Sequence, residues 1–172
     1  MTNGQDGSIG LKRLVIAARL VIAARLVIAG VLLIAAATPA WASLGGDAAS
    51  IQADQVHMRG SRTMRAAESF TVHEIQAANG TVVREFVSAE GKVFAIAWHG
   101  PWIPDMRQLL GSYFGQYAQA NQAQRGARMR RGPILIDQPG LVVQVGGHMR
   151  AFAGRAYVPE MLPSGVGAEN IQ

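Results

Sequence analysis

Four histidines, His57, His73, His99 and His148, are the side chains of this chain best suited to acid–base work or metal binding. Imidazole changes charge near neutral pH and is a ready metal ligand when neutral. The four fall in different elements, and none has the H-x-x-x-H spacing that sets two ligands on one helix face. A metal site assembled across the fold stays open. Ser88, His73 and Asp137 supply the side chains of a nucleophile–base–acid set. They come without a G-x-S-x-G elbow and without a glycine-rich phosphate loop. Cysteine is absent, which excludes thiolate metal sites, cysteine nucleophiles and disulfides. No catalytic, cofactor-binding or metal residue is assigned on this reading, and no cofactor is expected.

Two features remain as a candidate ligand or partner surface, made of Trp98, His99, Trp102, Arg84 and His73. Arg84 is expected between Ile75 and Ile96 on an apolar sheet face, where an unpaired charge is costly. There it snorkels to the sheet edge, pairs with an acid, or binds an anionic ligand. His73 on the same face reads as a hydrogen-bonded core residue. The run Trp98-His99-Gly100-Pro101-Trp102-Ile103-Pro104-Asp105 is either a rigid packed corner or an aromatic ligand platform. Asp105 reads as a helix N-cap, with Gln108 three residues on to complete a capping box.

The elements that position these residues follow from periodicity. Ser50 is expected to cap a short helix carrying Ile51, Gln55 and Val56, and 60–67 is expected to be a polar loop. From Phe70 to Trp98 the pattern is β-rich. Asn79-Gly80 signals a type I′ hairpin, and Ala89-Glu90-Gly91 a three-residue hairpin with a G1 bulge. Together these turns put His73, Ile75, Ala77, Val82, Arg84, Phe86, Phe94, Ile96 and Trp98 on one core face. Met106, Leu109, Leu110, Tyr113, Phe114 and Tyr117 form a helical stripe running to about Gln122. Gly111 and Gly115 on its far side mark either drift or a close backbone approach. Pro139-Gly140 and Gly146-Gly147 are read as turns between the last strands. The expected fold is α+β: an antiparallel sheet in the order β-β-β-α-β-β, with room for an extra short strand and one long helix on a face, preceded by an N-terminal signal helix.

The N-terminus reads as an address. Lys12 and Arg13 lead into the apolar run Leu26 to Ala37, followed by Ala40-Trp41-Ala42, the layout of a signal peptide cut between Ala42 and Ser43. Residues 1–42 are the expected leader and 43–172 a single exported domain with its core at about 68–162. The hexapeptide Arg13 to Ala18 recurs as Arg19 to Ala24 and again, ending in Gly, as Arg25 to Gly30. An uncleaved anchor from Leu14 to Ala37 is the rival, and it would bring Arg19 and Arg25 in or near the hydrocarbon, at about 2.5–3.5 kcal/mol for an arginine at the centre of a membrane helix.

The leader also carries much of the charge. The chain has 16 Lys+Arg and 11 Asp+Glu; without the leader 12 basic and 10 acidic residues remain, a net +2. That is no nucleic-acid footprint. Arg125, Arg128, Arg130 and Arg131 form a basic cluster that reads as a solvated loop or as a weak contact for an anionic surface.

Val93 to Phe114 (VFAIAWHGPWIPDMRQLLGSYF), with Ser43-Leu-Gly-Gly46, Thr71 to Ile75 and Gly154 to Pro159, resembles a proteobacterial exported family, domain of unknown function 2844. The W-x-G-P-x-x-P-D segment at Trp98 to Asp105 is its most specific part. The resemblance implies export and a single domain and brings no catalytic residue. The expectation is a periplasmic or secreted, non-catalytic protein that binds an unknown protein or envelope component and meets the membrane only through its leader. The alternatives are a small periplasmic hydrolase using a His/Asp pair and a protein anchored by an uncleaved leader.

Overall fold

The computed structural model describes residues 44–127 and 132–172, excluding the side chains of 125–127. The expected leader, with its Ala42–Ser43 cut, lies outside the described residues, as do Arg128, Arg130, Arg131 and the side chain of Arg125. Seven strands form one antiparallel sheet: β1 (Ser61–Ala66), β2 (Phe70–Gln76), β3 (Val82–Ser88), β4 (Val93–Gly100), β5 (Ile134–Gln138), β6 (Leu141–His148) and β7 (Ala151–Tyr157). Their spatial order is β1-β2-β3-β4-β7-β6-β5. Two meanders are thus joined edge to edge, with Ile96 opposite Ala156 and Trp98 opposite Gly154. The helices are α1 (Ile51–His57), α2 (Met106–Leu110) and α3 (Phe114–Ala127).

The α+β class and the antiparallel sheet agree with the sequence reading, but four strands precede the main helices and three follow. The additional strand is β1, in the segment expected to be a loop. All six of its residues are exposed, so no buried alternation marks it. Its pairing with β2, from Ser61 opposite Gln76 to Ala66 opposite Thr71, makes it a strand. The expected single helix is broken at Gly111, whose φ of +49° favours glycine. One 3-10 turn, Gly111–Tyr113, separates α2 from α3. Beside Gly115 the space is open.

The sheet buries both faces. On the first, Ile75, Val83, Val87, Val93, Ile96, Trp98, Val143 and Ala156 pack with Leu44, Ile51, Met106, Leu109, Leu110 and Tyr117. The stripe read from the sequence therefore faces the sheet as expected, with Tyr113 and Phe114 at its half-buried margin. On the second face Phe86, Phe94, Ala95 and Ala97 meet Ile171 and the tail residues Met161, Leu162 and Val166. The C-terminal segment after β7 takes the place of a second helical layer.

The register corrects the expected nine-residue face. Ala77 N donates to the Thr81 carbonyl at 2.9 Å and Gly80 N to Ala77 at 3.0 Å, closing a three-residue loop with Gly80 at φ +86°. The hairpin is therefore not the two-residue type I′ form. Gln76 faces Val82, Glu74 faces Arg84 and Val72 faces Phe86. A one-residue slip turns a whole strand over, so Val82, Arg84 and Phe86 leave the first face and Val83, Glu85 and Val87 enter it. The second hairpin closes as read, with Ser88 N on the Lys92 carbonyl at 2.9 Å and Gly91 at φ +77°. A bulge then follows: Val87 pairs with Val93 but Phe86 with Ala95. Phe94 is the extra residue. It moves to the second face, where its ring lies 6.2 Å from Phe86 and 5.9 Å from Phe70, while Ile96 and Trp98 keep their place on the first. The last hairpin turns at Met149-Arg150, with His148 opposite Ala151; Gly146 and Gly147 lie inside β6.

Candidate functional site

The first face holds a group of buried polar side chains. In α1 the inward residues are Ile51 and Asp54, while Val56, expected in the stripe, is 67% exposed. Glu85 points up from the middle of β3 and Gln108 in from α2; both are buried. Gln108 Nε2 donates to Asp54 Oδ1. Gln108 therefore does not close a capping box on Asp105. Among the described residues Asp54 Oδ2 and both Glu85 oxygens meet no N–H or O–H donor, yet the two carboxyls are within hydrogen-bonding reach of each other. A proton held between them gives one oxygen of each carboxyl a partner. Burial is the main cause that pushes Glu85 up to about 9, with the Asp54 carboxyl adding to it. Burial also raises Asp54, to about 6, against the lowering effect of its bonds to Glu85 and Gln108. His73, opposite Glu85 across the β2–β3 ladder, is buried with its Nδ1 unpartnered. Burial, and then the Arg62 charge, hold its pKa below the usual histidine value. This group links α1, β3 and α2. Because Asp54 and Glu85 are only about 1% exposed, it offers no reacting atom to a substrate.

The second face offers open space instead. A cleft of about 530 Å³ lies over β4, β7, β6 and the start of β5, beside the tail. Ala97, Ala153 and Gly146 form its floor, Leu135 and Ile171 stand at its walls, and His99, Gln144, Arg155 and Gln172 are its polar members. The ladder explains the set: Ala97, Arg155 and Gln144 share one cross-strand row, and His99, Ala153 and Gly146 the next. Arg155 Nε donates to Gln144 Oε1 at 2.8 Å, and its Nη1 to the carbonyls of Ala168 and, at 3.4 Å, Ile171. Among the described residues no serine, threonine, tyrosine, aspartate or glutamate lines this cleft.

The residues singled out from the sequence are dispersed. Arg84 is on the second face and not between Ile75 and Ile96 on the first; there its Nε meets Glu74 at 2.7 Å and its Nη1 the Gln172 carbonyl at 3.0 Å. Of the three fates considered for it, pairing with an acid is the one observed. The Trp98 indole is buried on the first face against Gly154, whereas Trp102 is 57% exposed. The two rings do not share a platform. The corner between them is rigid: Thr81 Oγ1 donates to the Trp102 carbonyl at 3.1 Å. Gly100, at φ +148°, has no room for a side chain, since a Cβ would come within 2.6 Å of Thr81 Cα. Asp105 caps α2, its Oδ1 accepting from Arg107 N at 2.9 Å and Gln108 N at 3.3 Å. His99 lines the cleft and His73 does not.

A family model described as a protein of unknown function (DUF2844) matches residues 40–171. The chain belongs to this family. The match takes in every strand and helix described, so the two-faced sheet with its tail is the DUF2844 domain. No curated protein and no solved structure matches the chain. Among its described residues this DUF2844 domain has no group of three or more His, Asp or Glu side chains placed to hold a metal ion. None of its described helices is long and apolar enough to cross a membrane.

Sequence reasoning missed Asp54, Glu85, Gln144 and Arg155. Glu85 does carry a signal, since Val83, Glu85 and Val87 alternate as one row and two of the three are apolar. Gln144 and Arg155 carry none, because their role rests on a tail that returns from far along the chain.

Proposed function

We propose that the protein is exported to the periplasm or beyond, loses its leader after Ala42, and acts there as a non-catalytic binding protein whose site is the second-face cleft. The carrying observation is the chemistry of that cleft: apolar walls, the polar side chains of His99, Gln144, Arg155 and Gln172, and, among the described residues, no acidic or hydroxyl side chain. Ligand pockets of this size are typically apolar with a few placed polar groups. Hydrolysis by a His/Asp pair needs a base with an orienting acid in reach of the substrate. His99 has no acid beside it in the cleft, and the buried His73 with Glu85 is closed to substrate.

Export is supported by the basic stretch, apolar run and A-W-A site of residues 12–42. Mass spectrometry of the protein from an envelope fraction is expected to find Ser43 at the N-terminus. An intact Met1 in the membrane pellet would replace this reading with the anchored one. Binding is tested by native mass spectrometry of the exported protein. A co-purified mass lost in Ala153→Phe, which fills the cleft from an exposed floor position, is the expected result. Turnover of ester or amide substrates that survives Ala153→Phe would overturn the reading.

A further inference from the structure

Among the described residues Arg155 carries the one guanidinium in the cleft, and its bonds are uneven. Its Nε and Nη1 are committed to Gln144, Ala168 and Ile171, all neutral acceptors. Among the described residues no carboxylate lies within 4 Å of it, in contrast to Arg84, whose charge Glu74 answers. Its Nη2 meets no described acceptor, although Arg155 is only half-exposed. A guanidinium presents a planar fork that suits a carboxylate. Three of its bonds already fix its plane, so little freedom is left to lose on binding. His99 adds a second N–H donor on the neighbouring row, and among the described residues no acidic side chain lines the cleft to oppose an anion. From Arg155 and His99 the floor of Ala153 and Gly146 runs toward Pro133 and Leu135. A headgroup at one end and an apolar slot beside it match an amphiphile with a single chain.

We propose that the cleft takes a free amphiphile with one carboxylate, its head on Arg155 and His99 and its chain along Ala153 and Gly146. This rests on the binding role given above and names the ligand class for it. The test is calorimetric titration of the protein with dodecanoate, with dodecanol as the neutral counterpart of the same chain, and with anionic phosphatidylglycerol vesicles. Dodecanoate is expected to bind about tenfold or more tighter than dodecanol, the worth of one charge-assisted hydrogen bond. In Arg155→Gln the two affinities should converge. In Ala153→Phe both ligands should be lost while the melting temperature holds. Because Arg155 also holds the tail, His99→Ala serves as a second probe: it should weaken dodecanoate selectively without loosening the tail. Equal affinity for dodecanoate and dodecanol would overturn the carboxylate assignment and leave the binding cleft standing. Loss of both ligands in Arg155→Gln with a lowered melting temperature, and no effect of His99→Ala, would make Arg155 purely structural and overturn it too. Binding that survives Ala153→Phe would overturn the cleft itself. Vesicle binding without dodecanoate uptake would assign the chemistry to a membrane surface instead.

Discussion

Glu85 of β3 and Asp54 of α1 meet carboxyl to carboxyl inside the first-face core, with Gln108 donating to the aspartate from the other side. Two ionised carboxylates cannot share such a place, because each lacks water and repels the other. One proton between them turns a repulsion into a hydrogen bond that ties the short helix α1 to the sheet.

Stability should therefore fall as pH rises. Both groups titrate higher in the folded protein, Asp54 moving from 3.8 to about 6 and Glu85 from 4.5 to about 9. Between pH about 4 and 9 the folded state holds more protons than the unfolded one, and the pair's contribution is greatest below pH about 4. Each extra proton lowers stability by about 1.4 kcal/mol per pH unit at most. Glu85→Gln keeps a donor for Asp54 and has no proton to lose. Thermal melts from pH 5 to 9 should show a flatter profile for Glu85→Gln and a higher melting temperature than wild type at pH 8. Parallel profiles would mean that no proton is shared.

Asp105→Ala should cost about 0.5–2 kcal/mol, because the first turn of α2 then loses the acceptor for two backbone N–H groups. Asp105→Asn should cost less, since its amide oxygen still caps. Dodecanoate affinity should stay unchanged in both. An unaltered melting temperature in Asp105→Ala would contradict the cap.

Gly154→Ala and Gly115→Ala should move stability in opposite directions. A Cβ at Gly154 would lie 2.7 Å from Trp98 Cε2 and 2.6 Å from the Gln144 carbonyl. The indole has no place to retreat in a closed core, so a loss of about 1–3 kcal/mol is expected. At Gly115, inside α3, a Cβ meets nothing within 4 Å, and alanine should gain about 0.5–1 kcal/mol from its better helix propensity. Chemical denaturation of both variants checks the pair.

Local signals were the legible ones. The α2–α3 stripe, the Asp105 cap and the Gly91 turn all depend on residues close in sequence, and each is where periodicity places it. Register was less legible, because Asn79-Gly80 suits both a two-residue and a three-residue loop and the choice turns β3 over. That single step left Glu85 off the expected core face and put Arg84 on it. β1 escaped notice because six exposed residues leave no pattern. The cleft was out of reach for another reason: it joins two meanders and a returning tail, contacts that no short-range spacing records.

Amide-resolved NMR of the exported protein titrated with dodecanoate bears most directly on the second-face cleft as the binding site. Shifts are expected to concentrate at Ala97, His99, Gln144, Ala153 and Arg155 and to leave α1 and Glu85 in place. Shifts centred on α1 or on Trp102 and Ile103, or none at a saturating dodecanoate concentration, would contradict it.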